Sequence, residues 1–217
     1  AQGAAPARRG GIDAVLFGAH GLRAGWRILL FSLLLWVFAS VLYPLLSVLA
    51  APFAGDARAG MVVQVLVMLI ASILAGWVML AAVDRRPIGA LGFAADPAAG
   101  RDSVVGFAAG GAMLALAVLL LTVASMARWV ADTGSGGEYV AALALSLAFF
   151  AVAAAAEEAA FRGYAFQALV QGIGAWPAIL LTSGLFALLH AGNPSVTPVA
   201  LANIFLAGVM LAVAYLK

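Results

Sequence analysis

Two adjacent carboxylates in an otherwise apolar stretch are the side chains of this sequence best suited to chemistry. Glu157 and Glu158 lie near the end of a run that is almost purely apolar from Tyr139 onward, and Arg162 follows Glu158 by four positions. A charged side chain at the centre of a membrane helix costs about 2.5–3.5 kcal/mol on insertion scales. Because such groups are rare there unless they pair or function, this stretch is the first candidate site.

Helical geometry gives the two glutamates different tasks. Adjacent residues of an α-helix point about 100° apart, so Glu157 and Glu158 cannot face the same point. Glu158 and Arg162 stand at i,i+4 with the acid first, which is the favourable order for an ion pair and predicts a structural lock. Glu157 is then the freer carboxylate. A partly desolvated carboxylate holds a proton more readily than one in water, which suits a general base that activates water.

The next apolar run supplies an imidazole. His190 ends this run, and Phe186 precedes it by one helical turn on the same face. His190 could orient the water, stabilise developing charge, or bind a divalent metal such as zinc together with Glu157. One histidine and one glutamate are fewer than the three protein ligands usual for catalytic zinc, so these residues alone do not decide whether a metal binds. Asn203, in the last apolar run, predicts either a hydrogen bond between helices or a position on the wall of the site.

Composition places the chain in a membrane. Of its 217 residues, 66% are hydrophobic and 9% are charged, whereas soluble domains carry about 25% charged residues. The net charge of +2 is small, which argues against nucleic acid as a partner. The absence of cysteine excludes disulfides, thiolate metal sites and a cysteine nucleophile. Several apolar runs near the length of a membrane span predict an all-α polytopic bundle.

About six spans are expected, in a single membrane domain over residues 25–217 that follows a polar or interfacial segment over 1–24. With the N-terminus inside, nine of the eleven basic residues fall in cytoplasmic segments and two, Arg58 and Arg128, in outer loops. This bias predicts a cytoplasmic N-terminus in an inner membrane of bacterial type. This topology places Glu157 toward the cytoplasmic end of its span and His190 at the outer end of the next, in conflict with a shared site. The spans are about Trp26–Phe53, Met61–Val83, Val104–Met126, Tyr139–Phe161 with a possible extension to Val170, Pro177–His190 and Val199–Leu216.

Two motifs in successive apolar runs carry a family resemblance. The pattern E-E-x-x-x-R stands at Glu157–Arg162, followed by Gly163, and F-x-x-x-H stands at Phe186–His190. Together they resemble the CPBP family of intramembrane proteases, also called Abi, which includes CAAX proteases and bacteriocin-processing or bacteriocin-immunity proteins. The resemblance covers about Tyr139–Tyr215.

The resemblance implies an endopeptidase within a helical membrane bundle, acting on a peptide or protein substrate at the membrane, prenylated in the CAAX case. By the resemblance, Glu157 is the water-activating carboxylate, His190 is its partner, and Glu158 and Arg162 shape the site. The family is described as metalloproteases, which is the main support for a metal on Glu157 and His190. We expect the site to be a polar cavity that opens to the cytoplasmic side, with Phe186 and Asn203 on its wall.

The sequence departs from the family in one respect. Family members usually carry a third motif, H-x-x-x-N, on a later helix, and no histidine follows His190 here. We therefore expect a fragment whose protease core, residues 139–217, is cut before that helix, and whose own activity is open. The alternatives are a non-enzymatic membrane protein, such as an immunity protein or scaffold, and a small transporter that uses the glutamate pair as a proton relay.

Overall fold

The computed structural model describes residues 11–18, 21–53, 55–92 and 97–216, and these form an almost wholly helical protein. Arg8, Arg9 and Lys217, on which part of the predicted topology rests, lie outside the described residues. The regular elements are α1 (Ile12–Leu16), β1 (Phe17–Gly18), β2 (Gly21–Leu22), α2 (Ala24–Ala50), α3 (Ala57–Val78), α4 (Ala99–Val123), α5 (Gly136–Glu158), α6 (Tyr164–Ile173), α7 (Ala175–Leu189) and α8 (Pro198–Tyr215).

Short irregular helices join several of these elements. A π turn, Met79–Asp84, ends α3, and a second π turn, Ala159–Gly163, connects α5 to α6. Two 3-10 turns, Ala51–Phe53 and Ile88–Leu91, lie in connections. Strands β1 and β2 form a minimal antiparallel pair in which Phe17 aligns with Leu22.

Five helical stretches of the described chain are long and apolar enough to cross a membrane, so this is an integral membrane protein. A shorter apolar helix, α7, occupies the place of the predicted fifth span. The predicted all-α membrane bundle is confirmed, with five long stretches and one short helix where we expected six spans. The long stretches are Ala24–Phe53, Arg58–Asp84, Ala99–Val123, Gly136–Ile173 and Pro198–Tyr215.

The fourth stretch is longer than the sequence suggested. It continues through the second π turn to Ile173, beyond the predicted end at Phe161 and three residues past the predicted extension to Val170. The Arg162 side chain within it is buried against protein. Glu157 therefore lies well inside the helical stretch, 16 residues before its last residue.

The chain divides into two compact units, Ala1–Gly92 with Ala148–Lys217, and Phe93–Leu147. In the first unit, α6 takes part in two separate apolar cores. Residues two apart on a helix point in nearly opposite directions. Tyr164 and Ala168 therefore join the first core, while Phe166 joins the second. The first core also contains Phe31, Ala75, Met79, Leu80 and Leu91, and the second also contains Ala178, Ile179 and Ala212.

The second unit holds α4 and the start of α5. None of the α4 side chains is buried. A Cβ added at Gly106 or Gly110 would meet no atom within 4 Å. The start of α5 is fixed by a capping box: the Ser135 hydroxyl accepts from the Glu138 amide at 3.3 Å, and the Glu138 carboxylate accepts from the Ser135 amide at 2.7 Å.

Candidate active site

A helical hairpin brings the two motifs together. Gly174, with φ of 86°, ends α6 and starts α7, so the chain reverses direction there. Glu157 stands 17 positions before Gly174 and His190 stands 16 positions after it, which puts both at the same level of the hairpin. Glu157 Oε1 lies 3.9 Å from His190 Nε2. The conflict that the predicted span boundaries created therefore does not exist in the structure.

The tautomer of His190 follows from its other ring nitrogen. Nδ1 lies 2.7 Å from the carbonyl oxygen of Phe186, and a carbonyl oxygen only accepts, so Nδ1 carries the hydrogen. In the neutral ring, Nε2 then presents its lone pair toward Glu157. The side chains of His190 and Glu157 are 26% and 40% exposed, so water can reach both.

Glu158 and Arg162 form the ion pair that their spacing predicted. The guanidinium is buried, donates a long hydrogen bond of 3.4 Å to the carbonyl oxygen of Gly208 on α8, and lies 5.7 Å from the centre of the Phe186 ring. Arg162 therefore connects the motif on α5 to both α7 and α8. Glu158 is the exposed partner of the pair, since 39% of its side chain is accessible.

Phe186 joins the two halves of the site. Its ring packs edge-on against Phe161 with centroids 5.1 Å apart, and it meets the His190 ring at a tilt of 53° with centroids 4.5 Å apart. Because Phe186 is buried and also touches Arg162, it fixes the imidazole relative to the ion pair. The sequence placed Phe186 beside His190, and the structure shows this contact.

Asn203 lies on α8 and is exposed, five residues before Gly208. Its place on the wall of a cavity stays a prediction, as does an opening of that cavity to the cytoplasmic side.

The donor set does not complete a zinc site. Among the described residues, no group of three or more His, Cys, Asp or Glu side chains could hold a metal ion. Glu157 and His190 supply two donors, whereas catalytic zinc usually has three protein ligands. A metal on this pair stays a prediction.

The second π turn is part of the site. It begins directly after Glu158 and contains both Phe161 and Arg162. Single π turns inside α-helices are uncommon and occur often at functional sites. At its end, Gly163 has ψ of −120°, outside the helical range, before α6 resumes at Tyr164. The sequence predicts an uninterrupted helix here, so the turn was not predicted.

A second polar cluster, around Arg27, also escaped the sequence analysis. Arg27 is buried and forms an ion pair with Asp84. Its Nε donates to the Tyr164 hydroxyl at 2.9 Å, and its Nη1 donates to Gln171 Oε1 at 2.8 Å. In the sequence, Arg27 is one of the basic residues on which the predicted topology rests. Since Asp84 is 57 positions away, no local spacing could reveal the pair.

Comparison with known proteins covers the part of the chain that holds both motifs. Residues 139–217 match the family described as type II CAAX prenyl endopeptidase Rce1-like. This confirms the resemblance to CPBP proteases over those residues and supports a CAAX-type intramembrane protease. No curated protein and no solved structure matches the chain.

Proposed function

We propose that the protein is a CAAX-type intramembrane endopeptidase in which Glu157 and His190 activate a water molecule for attack on a peptide bond. The observation that carries the proposal is the 3.9 Å separation of Glu157 Oε1 and His190 Nε2, inside the segment that matches the family. Both groups are partly exposed, and they come from the two motifs that the resemblance singled out.

The separation suits one water molecule. Both Oε1 and neutral Nε2 are acceptors, so they need a donor between them. If a water oxygen lies about 2.8 Å from each acceptor, the angle between the two acceptors at the water oxygen is about 90°. This is close to the angle between the two O–H bonds of water. Its two hydrogens would then point at Glu157 and His190, and its oxygen lone pairs would face away from both, toward a substrate carbonyl.

The reaction balances without a further reactant. Glu157 takes one proton from the water as the water oxygen bonds to the carbonyl carbon of the scissile peptide. When the C–N bond breaks, the protonated Glu157 returns that proton to the leaving nitrogen, which gives a carboxylic acid and an amine. His190 holds the water and stabilises it through Nε2. General acid–base help of this kind contributes about 10²–10⁴-fold to a rate.

Glu158 and Arg162 serve the site indirectly in this proposal. The ion pair ties the carboxylate-bearing end of α5 to Gly208 and, through the Phe186 ring, to His190. Loss of the pair would therefore disturb the 3.9 Å approach between Glu157 and His190.

Cleavage of a farnesylated CAAX peptide by the purified protein in liposomes tests the function. We expect cleavage by the parent and a loss of about 10²-fold or more in Glu157→Gln, which keeps shape but removes the base. Glu138→Gln, on the same helix 19 positions before Glu157 in the sequence, is the matched control and should retain full activity. Full activity of Glu157→Gln, or no cleavage by the parent, would contradict the proposal. An unprenylated peptide in parallel tests whether the lipid is recognised.

For orientation, we propose a cytoplasmic N-terminus from the distribution of basic residues. The chain has no cysteine, so single cysteines introduced by Arg85→Cys and Gly136→Cys can be labelled selectively. In intact cells, a membrane-impermeant thiol reagent should label position 136 and spare position 85. Labelling of position 85 from outside would overturn this orientation.

A further inference from the structure

We infer that Arg27 is a positioning residue for Glu157: its buried network fixes the start of α6 and so holds the second π turn, and with it Glu157, opposite His190. The catalytic consequence of this inference rests on the proposed function, but the positional claim does not. Three elements of the first unit meet at the Arg27 guanidinium.

Arg27 connects three parts of the first unit. From α2, it reaches Asp84 at the end of the first π turn, and Tyr164 and Gln171 on α6. The side chains of the ion pair are only 5% and 12% exposed. A buried ion pair is often no more stabilising than well-packed apolar residues of the same volume, because desolvation offsets the attraction. Stability alone therefore gives little reason for this pair, whereas fixing the relative positions of three helices does.

The contact with Tyr164 lies where it can act on the site. Tyr164 is the first residue of α6, directly after the second π turn. Its hydroxyl accepts from Arg27, its ring stacks on Phe31 with centroids 5.6 Å apart, and the guanidinium lies 5.3 Å from its centre. The rotation of α6 about its axis is therefore set at this residue, seven positions after Glu157.

The two ends of the second π turn are thus held by different clusters. At the motif end, Arg162 binds Glu158 and Gly208. At the α6 end, Arg27 holds Tyr164. A single π turn is held by a few i→i+5 hydrogen bonds between two α-helical ladders, so the attachments at both of its ends help to fix its shape.

The backbone around Asp84 supports the same conclusion. Asp84 ends the first π turn, and the next residue, Arg85, has φ of 54°, a left-handed conformation that non-glycine residues rarely adopt. Irregular backbone persists only where the surrounding structure determines it. Met79 and Leu80 of this turn pack in the core that contains Tyr164, so the turn is anchored beside the residue that it helps to hold.

An experiment without catalysis can measure the position of Glu157. Because the chain contains no cysteine, Glu157→Cys with His190→Cys introduces one reactive pair, and its yield with a short thiol cross-linker reports the approach of the two positions. We expect efficient cross-linking in this background. Adding Arg27→Met with Asp84→Leu should lower the yield several-fold. That combination removes both charges together and leaves no charge buried without its partner.

The matched control is Arg101→Met with Asp102→Leu, which removes an exposed ion pair of the second unit. It should leave the cross-linking yield unchanged. If the Arg27 and Asp84 combination also leaves the yield unchanged while the protein remains folded in detergent, the inference is wrong. If that combination fails to fold, Tyr164→Phe removes only the hydroxyl that Arg27 holds, and an unchanged yield in Tyr164→Phe would then overturn the inference.

Kinetics of peptide cleavage separate positioning from simple stability. In the otherwise native chain, Arg27→Met with Asp84→Leu should lower kcat several-fold and leave KM unchanged at temperatures where the protein stays folded. A purely structural network predicts parent kcat once the fold is intact. Full activity of Glu157→Gln would defeat the proposed function and make kcat uninformative, but the cross-linking result would still decide whether Arg27 positions residue 157.

Discussion

The first unit contains two ion pairs beside π turns, and they differ in their access to water. In Arg27–Asp84, which we call the sealed pair, both side chains are almost inaccessible to water, and the partners come from α2 and the end of α3. In Glu158–Arg162, which we call the open pair, only the arginine is inaccessible to water and the acid is well exposed. The partners of the open pair are one helical turn apart. The candidate catalytic carboxylate, Glu157, lies next to the open pair. The sealed pair therefore suits holding helices in position, and the open pair borders the two groups that we propose to activate water.

The largest effect on stability is expected from breaking the sealed pair. Arg27→Ala leaves the Asp84 carboxylate without its counter-charge in a buried position, and it also removes the donors to Tyr164 and Gln171. Removing one partner of a buried pair costs about 3–5 kcal/mol. Unfolding in detergent against a denaturant would measure it, with Arg101→Ala as the exposed control. A loss no greater than that of the control would show that the network is not buried in the folded protein.

A smaller loss is expected from the open pair. Arg162→Ala leaves Glu158 without a partner, but this carboxylate is 39% exposed and can be hydrated. We expect about 2 kcal/mol, below the range for sealed pairs. The same unfolding assay applies, and Glu158→Gln, which keeps an acceptor for Arg162, should cost less than Arg162→Ala. If Arg162→Ala were more damaging than Arg27→Ala, the distinction between the two pairs would fail.

The contact between α7 and α8 gives the next effect in size. A Cβ added at Gly208 would lie 3.0 Å from Ser183 Cβ and 3.1 Å from its Cα, so the helices would have to separate. Overpacking of this kind costs about 1–3 kcal/mol, and it would also draw the Gly208 carbonyl away from Arg162. Gly208→Ala should therefore lower stability in the unfolding assay.

Gly106→Ala is the control for that substitution, because a Cβ there would meet nothing within 4 Å. It replaces glycine by alanine inside a helix as well, and alanine favours helix by about 1 kcal/mol. Equal effects of the two substitutions would mean that α7 and α8 do not approach at Gly208.

The smallest effect is expected at an ion pair that is open on both sides. Arg101 and Asp102 are well exposed, and their oxygen–nitrogen distance is 3.1 Å. Exposed pairs contribute about 0–1 kcal/mol, so Asp102→Asn should change stability by less than about 0.5 kcal/mol. Calorimetry at low and high salt would check this. A large loss of stability in Asp102→Asn would mean that Asp102 interacts with a group other than Arg101 or solvent.

The sequence could predict those parts of the site that depend on local spacing. Glu158 and Arg162 pair because helical periodicity places them together, and Phe186 meets His190 for the same reason. Once α5 is known to continue into α6, counting positions on either side of Gly174 also predicts that Glu157 and His190 lie at the same height on the two arms of the hairpin. Of the two predicted ends of this span, Phe161 hides this relation and Val170 allows it, and hydropathy alone cannot tell a buried arginine from one at the membrane surface.

Contacts between distant parts of the chain could not be predicted in this way. Arg27 meets Asp84, Tyr164 and Gln171 only after three helices have packed, and no period in the sequence encodes that meeting. Neither π turn could be read from composition, since the residues of Ala159–Gly163 and Met79–Asp84 also suit an ordinary helix.

The second π turn makes this protein sensitive to chain length at one place. A π turn holds one residue more than the α turn it replaces, so it absorbs that residue and leaves the helices on either side in nearly the relative rotation of one continuous α-helix. A further residue inserted beside Ala159 or Ala160 would exceed what this turn absorbs. Everything before the insertion would then rotate by about 100° relative to Tyr164 and shift by about 1.5 Å along the axis. Glu157 would leave the side that His190 faces. Replacing either alanine by a residue of similar size is mild by comparison, because the count of residues between Glu157 and Tyr164 sets the direction in which the carboxylate points.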